Sequence, residues 1–154
     1  MNLNIDIKIV DSRIGTIFSL PDYSTPFSSG IDLRACCNKK ILLYPNKTIL
    51  ISSGIAININ NSMVTGMIFP RSGLGHKCGI VLGNLVGIID SDFQGEIMLS
   101  IWNRQTECSF CIEPGMRIAQ LVFVPIIKPK FHFVEKFNNV TKRGKLGFGH
   151  TGKF

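Results

Sequence analysis

Asp90 is the residue in this chain best placed to act as a base. It follows the apolar run Val86-Gly87-Ile88-Ile89 and precedes Ser91-Asp92-Phe93-Gln94-Gly95-Glu96. Val86, Ile88 and Ile89 are apolar enough to be buried, so Asp90 is expected where a buried strand gives way to a turn. A carboxylate there loses solvent on one side, which raises its proton affinity and suits it to activate water. The plainer role for such an aspartate is to cap the turn, and the rest of the chain has to decide.

Four further segments carry groups that could hold an anion or support such a base. Phe69-Pro70-Arg71-Ser72-Gly73-Leu74-Gly75 follows an apolar strand and opens a short helix. Free N–H groups at a helix start suit phosphate, Gly73 lets a ligand come close to the backbone, and Arg71 and Ser72 add donors. A capped surface helix with a solvated arginine is the competing account. In Met116-Arg117-Ile118-Ala119-Gln120-Leu121 the strand period puts Arg117 and Gln120 on opposite faces. Arg117 reads as a structural ion-pair partner and Gln120 as the better ligand contact. In Ser29-Gly30-Ile31-Asp32-Leu33-Arg34-Ala35, Asp32 sits between apolar neighbours and needs an arginine, backbone N–H groups or a water-bound metal to satisfy it. The tail has glycines at 144, 147, 149 and 152, with Arg143 and Thr151 as donors and Phe148 placed to stack on a ring. It lacks the Gly-Lys-Ser/Thr of a Walker loop, and a tail with no role is its alternative.

The elements that must position these groups are mostly strands. Ile5, Ile7 and Ile9 alternate with polar residues, as do Ile55, Ile57 and Ile59, while Phe131 and Phe133 flank His132. Each pattern predicts a half-buried strand. The runs 64–69, 97–102 and 121–127 predict strands buried on both faces. Turn residues separate them at Tyr44-Pro45-Asn46, Ser52-Ser53-Gly54, Asn60-Asn61-Ser62 and Glu113-Pro114-Gly115. No window carries a sustained helical stripe. Short strands with one short helix near Pro70-Arg71-Ser72 predict an all-β sandwich or jelly roll. Residues 1–137 read as one domain, and 138–154 as its mobile C-terminal arm.

Composition agrees. The 154 residues suffice for one domain with a real core, and 45% hydrophobic against 18% charged residues describes a folded chain. Fifteen glycines and seven prolines fit a turn-rich β fold. The net charge of +7 favours an anionic partner. A nucleic-acid groove would need basic residues interleaved with exposed aromatics, whereas most of the phenylalanines stand in apolar runs and read as core. Asp6, Lys8 and Asp11 break any signal-peptide core, and no stretch is long enough to span a membrane. Five cysteines, an odd number, point to free thiols in a reducing cytoplasm. Cys108 and Cys111 have CxxC spacing but no second pair for zinc, and a strand there would point their sulfurs to opposite faces. Cys36, Cys37 and Cys78 read as small buried residues.

Taken in order and at these spacings, the five segments resemble the five motifs of the trimeric deoxyuridine triphosphate nucleotidohydrolases, the dUTPases. The likeness runs over almost the whole chain and is closest to the bacterial enzymes. It implies a distorted jelly-roll β-sandwich, a homotrimer with active sites shared between subunits, and hydrolysis of dUTP to dUMP and pyrophosphate with Mg2+. By motif, Asp90 would activate the attacking water and contact the 3′-hydroxyl. Arg71, Ser72, Gly73 and Gln120 would bind phosphates. Asn84 and the backbone of 79–89, with Ile88 and Ile89, would form a hairpin reading the uracil edge, and Met98 would add a substrate contact. Asp32 would support the metal through water, with Mg2+ held mainly by the phosphates. Arg143, Phe148, Gly149 and Thr151 would close over the nucleotide from a neighbouring subunit, Phe148 on the base. No stable nucleic-acid binding and no membrane association is expected.

Two positions depart from the family. Phe93 stands where tyrosine is usual, keeping the ring that packs on deoxyribose and losing only the phenol hydroxyl. Leu146 replaces a common glycine in the tail. The runner-up reading is a dCTP deaminase-like or bifunctional relative of the same fold, and a third is a non-enzymatic β-sandwich that binds nucleic acid through its charge.

Overall fold

The computed structural model describes residues 3–147. Ten strands and one helix follow in chain order: β1 (Asp6–Ile9), β2 (Ile31–Arg34), β3 (Ile41–Leu43), β4 (Thr48–Asn58), β5 (Val64–Pro70), α1 (Ser72–Cys78), β6 (Ile80–Leu82), β7 (Gly87–Ile89), β8 (Glu96–Asn103), β9 (Phe110–Ile112) and β10 (Arg117–Pro125). One four-stranded sheet runs β1-β4-β8-β6, a second runs β2-β10-β5-β7, and β3 pairs β9 separately. All these pairings are antiparallel.

The two large sheets enclose one core. Ile51, Ile55 and Ile57 of β4 and Ile97, Leu99 and Ile101 of β8 pack in a single cluster with Leu33, Ile68, Ile118 and Leu121 of the second sheet. Most of these side chains are almost wholly removed from water, each contributing about 2 kcal/mol of transfer free energy. One buried polar residue staples an edge: Asn103 donates to the carbonyls of Leu43 (3.1 Å) and Cys108 (2.8 Å) and accepts from Gln105 N (3.0 Å). A buried amide with its hydrogen bonds made costs little, whereas one without them would open the β8–β9 connection.

Several local expectations give way to tertiary context. Ser52-Ser53-Gly54 does not turn the chain. It lies inside β4, where the register with β8 shifts between Ser52 and Ala56. Gly54 has φ 72°, and a Cβ there would lie 2.5 Å from Cys36 Sγ, so only glycine fits this bulge. Ser52 Oγ and Gly54 N both bond Glu96 Oε1. The run 97–102 is buried on one face only, with Met98 exposed. In β1 every residue is exposed, Ile7 and Ile9 included at 38% and 37%, and as an edge strand β1 has a neighbour on one side alone. Phe131 and Phe133 form no strand. The last strand ends at Pro125, and residues 127–147 are exposed.

The cysteines divide. Cys36 is buried, and that burial pushes its thiol up to about 11, so it is inert at neutral pH. Cys37 and Cys78 are only partly covered, and Cys108 and Cys111 are exposed. Cys108 precedes β9 rather than lying in it, so strand alternation does not govern its direction. Among the described residues no helix is long and apolar enough to cross a membrane.

Candidate active site

The second sheet sorts the chemically interesting residues by register. Gln120 of β10 stands opposite Asp32 of β2 on one side and Phe69 of β5 on the other. Phe69 is followed by Pro70, where β5 ends, and by Arg71, the residue before α1. Asp32, Gln120 and Arg71 are thereby drawn to one end of the sheet. The helix starts at Ser72 because Pro70 cannot extend the ladder by donating an N–H. It stops at Gly79, whose φ of 66° lets its N–H return to Leu74 O. Ser72 does not cap it; Arg71 occupies that position without a side-chain bond.

Around this end lies a recess of about 330 Å3 lined by Ser24, Ser28, Ser29, Gly30, Asp32, Arg71, Ser72, Gly73 and Gln120. Asp32 accepts Arg71 Nε at 2.8 Å and Arg117 Nη1 at 3.2 Å. Its carboxylate is about one-fifth exposed, so both contacts are charge-assisted and partly shielded from water. One carboxylate between two guanidiniums leaves the trio with a net positive charge, and pins the Arg71 fork at the recess wall. Gln120 Nε2 donates to Pro70 O at 3.0 Å, which fixes its amide beside the helix start. A Cβ at Gly73 would meet nothing within 4 Å, so the space above that backbone is open to a ligand.

Arg117 makes the ion pair expected of it. The serines at 24, 28 and 29 and the close approach of Gly30, whose Cβ would sit 3.1 Å from Leu121 O, were not singled out as site residues. The signal for them was the Ser-rich stretch before Gly30.

Asp90 is elsewhere. Ile89 pairs with Gly66, Ile88 with Met67 and Gly87 with Ile68. β7 therefore delivers Asp90 beside Thr65, near the start of β5, whereas Arg71 follows its end. Five residues of strand separate Thr65 from Pro70, about 17 Å at roughly 3.3 Å per residue. Asp90 lines its own recess of about 500 Å3 with Ser62, Thr65, Asp92 and Lys128. The segment before it is covered only in part: Gly87 is buried and Ile89 packs against the core, but Ile88 is 66% exposed, Val86 36%, and Asp90 is exposed. β7 is an edge strand, so within one chain nothing covers its outer face.

The 79–89 segment is not a hairpin of paired strands. β6 joins β8 in one sheet and β7 joins β5 in the other, so the loop 83–86 bridges the two sheets. Gly83 passes so close to Thr48 and Ser100 that a Cβ would lie 2.6 and 2.7 Å from them. Leu85 at its tip has φ 65°, a conformation that costs a branched residue energy. Asn84 and Met98 come together at a narrow crevice with Ile68, Leu82 and Gly87. Phe93 is 42% exposed, with its ring 2.7 Å from where a Cβ on Gly95 would stand. Arg143 is exposed and donates to Leu146 O at 3.0 Å. Phe148, Gly149 and Thr151 lie outside the described residues.

Comparison with known proteins gives the family and the fold. Residues 16–152 match the family model described as dUTPase. The chain is 58% identical over 148 residues to the deoxyuridine 5′-triphosphate nucleotidohydrolase of Buchnera aphidicola subsp. Baizongia pistaciae, covering 96% of this chain and 97% of that protein. It is 54% identical over 149 residues to the enzyme of the same name from Escherichia coli (strain K12 / DH10B), covering 97% of each. The fold is similar to a dUTPase of Staphylococcus bacteriophage 80alpha solved with dUpNHpp, with TM-score 0.83, 26% identity, and 97% and 98% of the two chains covered.

Proposed function

The chain belongs to the dUTPase family, and from that premise we propose how its residues divide the work of hydrolysing dUTP to dUMP and pyrophosphate. Asp90 takes a proton from the water that attacks the α-phosphorus and contacts the 3′-hydroxyl. Arg71, Ser72, Gly73 and Gln120 bind the phosphates. Phosphoryl transfer depends on positioning and charge neutralisation more than on a covalent nucleophile. The positive recess at the end of β5 supplies both, and Ser72 need not attack anything. Asn84, Ile88 and Ile89 present backbone and side-chain groups to the uracil edge, with Met98 beside Asn84 as a further contact. Phe93 offers apolar surface to deoxyribose, where a 2′-hydroxyl would lose its water. Arg143, Phe148, Gly149 and Thr151 close over the nucleotide.

The observation that carries this division is the separation of Asp90 from Arg71 along β5. Within a single chain the two groups stand at opposite ends of one strand, about 17 Å apart along the backbone at roughly 3.3 Å per residue, and a site drawn from two copies brings them together. Two copies, each lending one end of β5, complete the site, and the homotrimer supplies them with three-fold closure. The exposed Val86, Leu85 and Ile88 of the bridging loop and β7, with Leu50 and Met98 on the outer face of the first sheet, give such copies apolar surface to bury.

Magnesium fits this recess as a guest of the triphosphate. Asp32, the recess carboxylate, is already engaged by Arg71 and Arg117, and no group of three His, Cys, Asp or Glu among the described residues is arranged to hold a metal. The phosphates would carry Mg2+, with Asp32 reached through water. When bound, the ion neutralises phosphate charge. Free thiols support a reducing, cytoplasmic setting.

A pyrophosphate-release assay across dUTP, UTP, dCTP and dTTP, with and without Mg2+, tests the reading. Turnover of dUTP alone is expected. Ammonia released from dCTP would instead support the deaminase-like alternative.

A further inference from the structure

Thr65 is a hydroxyl residue within the otherwise apolar strand β5, and it is 93% buried, being 7% exposed. A buried hydroxyl in such a strand needs a partner. Its Oγ1 donates to Ile89 O at 2.9 Å, and Ile89 is the residue before Asp90. The β5–β7 ladder stops at the pair Gly66–Ile89. The next rung would be Thr65 with Asp90, and it is absent; the Thr65 side chain makes the last tie before the chain leaves the sheet. Beyond Asp90, Ser91 O accepts Asn60 N at 3.1 Å, and Asp90 O accepts Phe93 N at 3.1 Å. Asn60 presents that N–H from φ 48°, a left-handed conformation that asparagine tolerates. The peptide unit before Asp90 is thus held by β5, the unit after it by Phe93 of the same turn, and the next by Asn60.

We infer that Thr65 is a positioning residue for the base: its hydroxyl, by fixing the Ile89 carbonyl, fixes the peptide plane from which Asp90 projects. This rests on Asp90 being the water-activating base. A base must lie within hydrogen-bond reach of the proton it removes, and small misplacements of a reacting group lower rates sharply. In this role Thr65 acts through the backbone that carries Asp90 and not on the substrate itself. Its loss should therefore lower the rate of the chemical step more than it weakens dUTP binding, which draws most on the phosphate groups at Arg71, Ser72, Gly73 and Gln120.

The test is steady-state hydrolysis of dUTP by the purified full-length chain with Mg2+, comparing wild type, Thr65→Val and Thr65→Ser. Thr65→Val keeps the shape and removes the donor. Misplacement of the base is expected to lower kcat by about fivefold to tenfold, with KM changing less and the melting temperature falling by only a few degrees for the carbonyl left without its donor. Thr65→Ser should restore kcat. An unchanged kcat in Thr65→Val overturns the inference, as does a fall that Thr65→Ser does not rescue or one accompanied by an equal loss of binding. Should Thr65→Val not fold, Thr65→Ala against Thr65→Ser asks the same question. Wild-type turnover separates this outcome from failure of the activity itself: an active wild type with indifferent Thr65 variants sinks only the positioning role.

Discussion

Ile89 lies opposite Gly66 in the β5–β7 ladder, so Asp90 leaves the sheet at the end of β5 remote from Arg71. That relationship gives the sharpest prediction. Asp90→Asn and Arg71→Ala should each lose nearly all turnover, about a hundredfold or more for the base. Mixed and reassembled from unfolded subunits, the two inactive variants should regain up to about a quarter of wild-type activity, because some sites then draw Asp90 from one copy and Arg71 from another. Pyrophosphate release from the mixture measures it, and no recovery would mean the site is not shared. Asp90→Asn alone should still bind a non-hydrolysable dUTP analogue.

Phe93 is held over Gly95 with its ring two-fifths exposed. It offers apolar surface without the usual phenol hydroxyl. UTP should remain a poor substrate for the natural chain, since a ribose 2′-hydroxyl against the ring loses a hydrogen bond to water. Phe93→Ala should narrow the gap between dUTP and UTP in kcat/KM by about tenfold. Comparable rates for UTP and dUTP in the unsubstituted chain would show that the missing hydroxyl is what excluded ribose.

Arg143 is exposed, and its contact among the described residues is to its own tail at Leu146. It contributes nothing visible to the core. A chain ending before Arg143 should therefore keep its melting temperature and lose much of its kcat/KM, by about tenfold or more for a lost phosphate donor and ring. Kinetics equal to those of the full chain would remove the closing role.

Asp11 makes a pH-dependent clasp. Arg13 donates to its carboxylate through Nε at 2.9 Å and Nη2 at 2.5 Å, and through its backbone N–H at 3.0 Å. The Arg13 side-chain bond, followed by the backbone bond, lowers the carboxyl from 3.8 to about 2. The folded value is the lower one, so the contribution is complete above 3.8 and disappears as pH falls toward 2. Asp11→Asn should lower unfolding free energy by about 1 kcal/mol at neutral pH. Urea melts should show that difference shrinking between pH 4 and pH 2; a difference unchanged across that range would contradict the clasp.

Much of the β framework was legible because alternation and turn residues are local signals. Ile55, Ile57 and Ile59 are buried as their period implies, and Asn46, Asn60 and Gly115 turn the chain with positive φ where turns were expected. Other signals misled for equally physical reasons. Ser52-Ser53-Gly54 has turn composition but lies in a long strand, where the same glycine serves a bulge packed on Cys36. Phe131 and Phe133 alternate yet join no sheet, because alternation alone does not bring a segment to an open edge.

The sequence by itself determined the set of chemical groups: a carboxylate after an apolar run, an Arg-Ser-Gly at a strand end, an aspartate between apolar neighbours in need of a partner, and a glutamine on a strand. Those are matters of residue type and near-neighbour spacing, which the chain states directly. Only the tertiary structure decided which of them meet. Strand register draws Asp32, Gln120, Arg71 and Arg117 to one end of the sheet, although Asp32 and Arg117 are 85 residues apart in the chain. The same register carries Asp90 to the other end. Register depends on long-range pairing between strands, and a one-residue slip would exchange core and solvent faces. No local pattern around Asp90 or Thr65 contains that information, nor the bond from Thr65 that ties down the residue before the base.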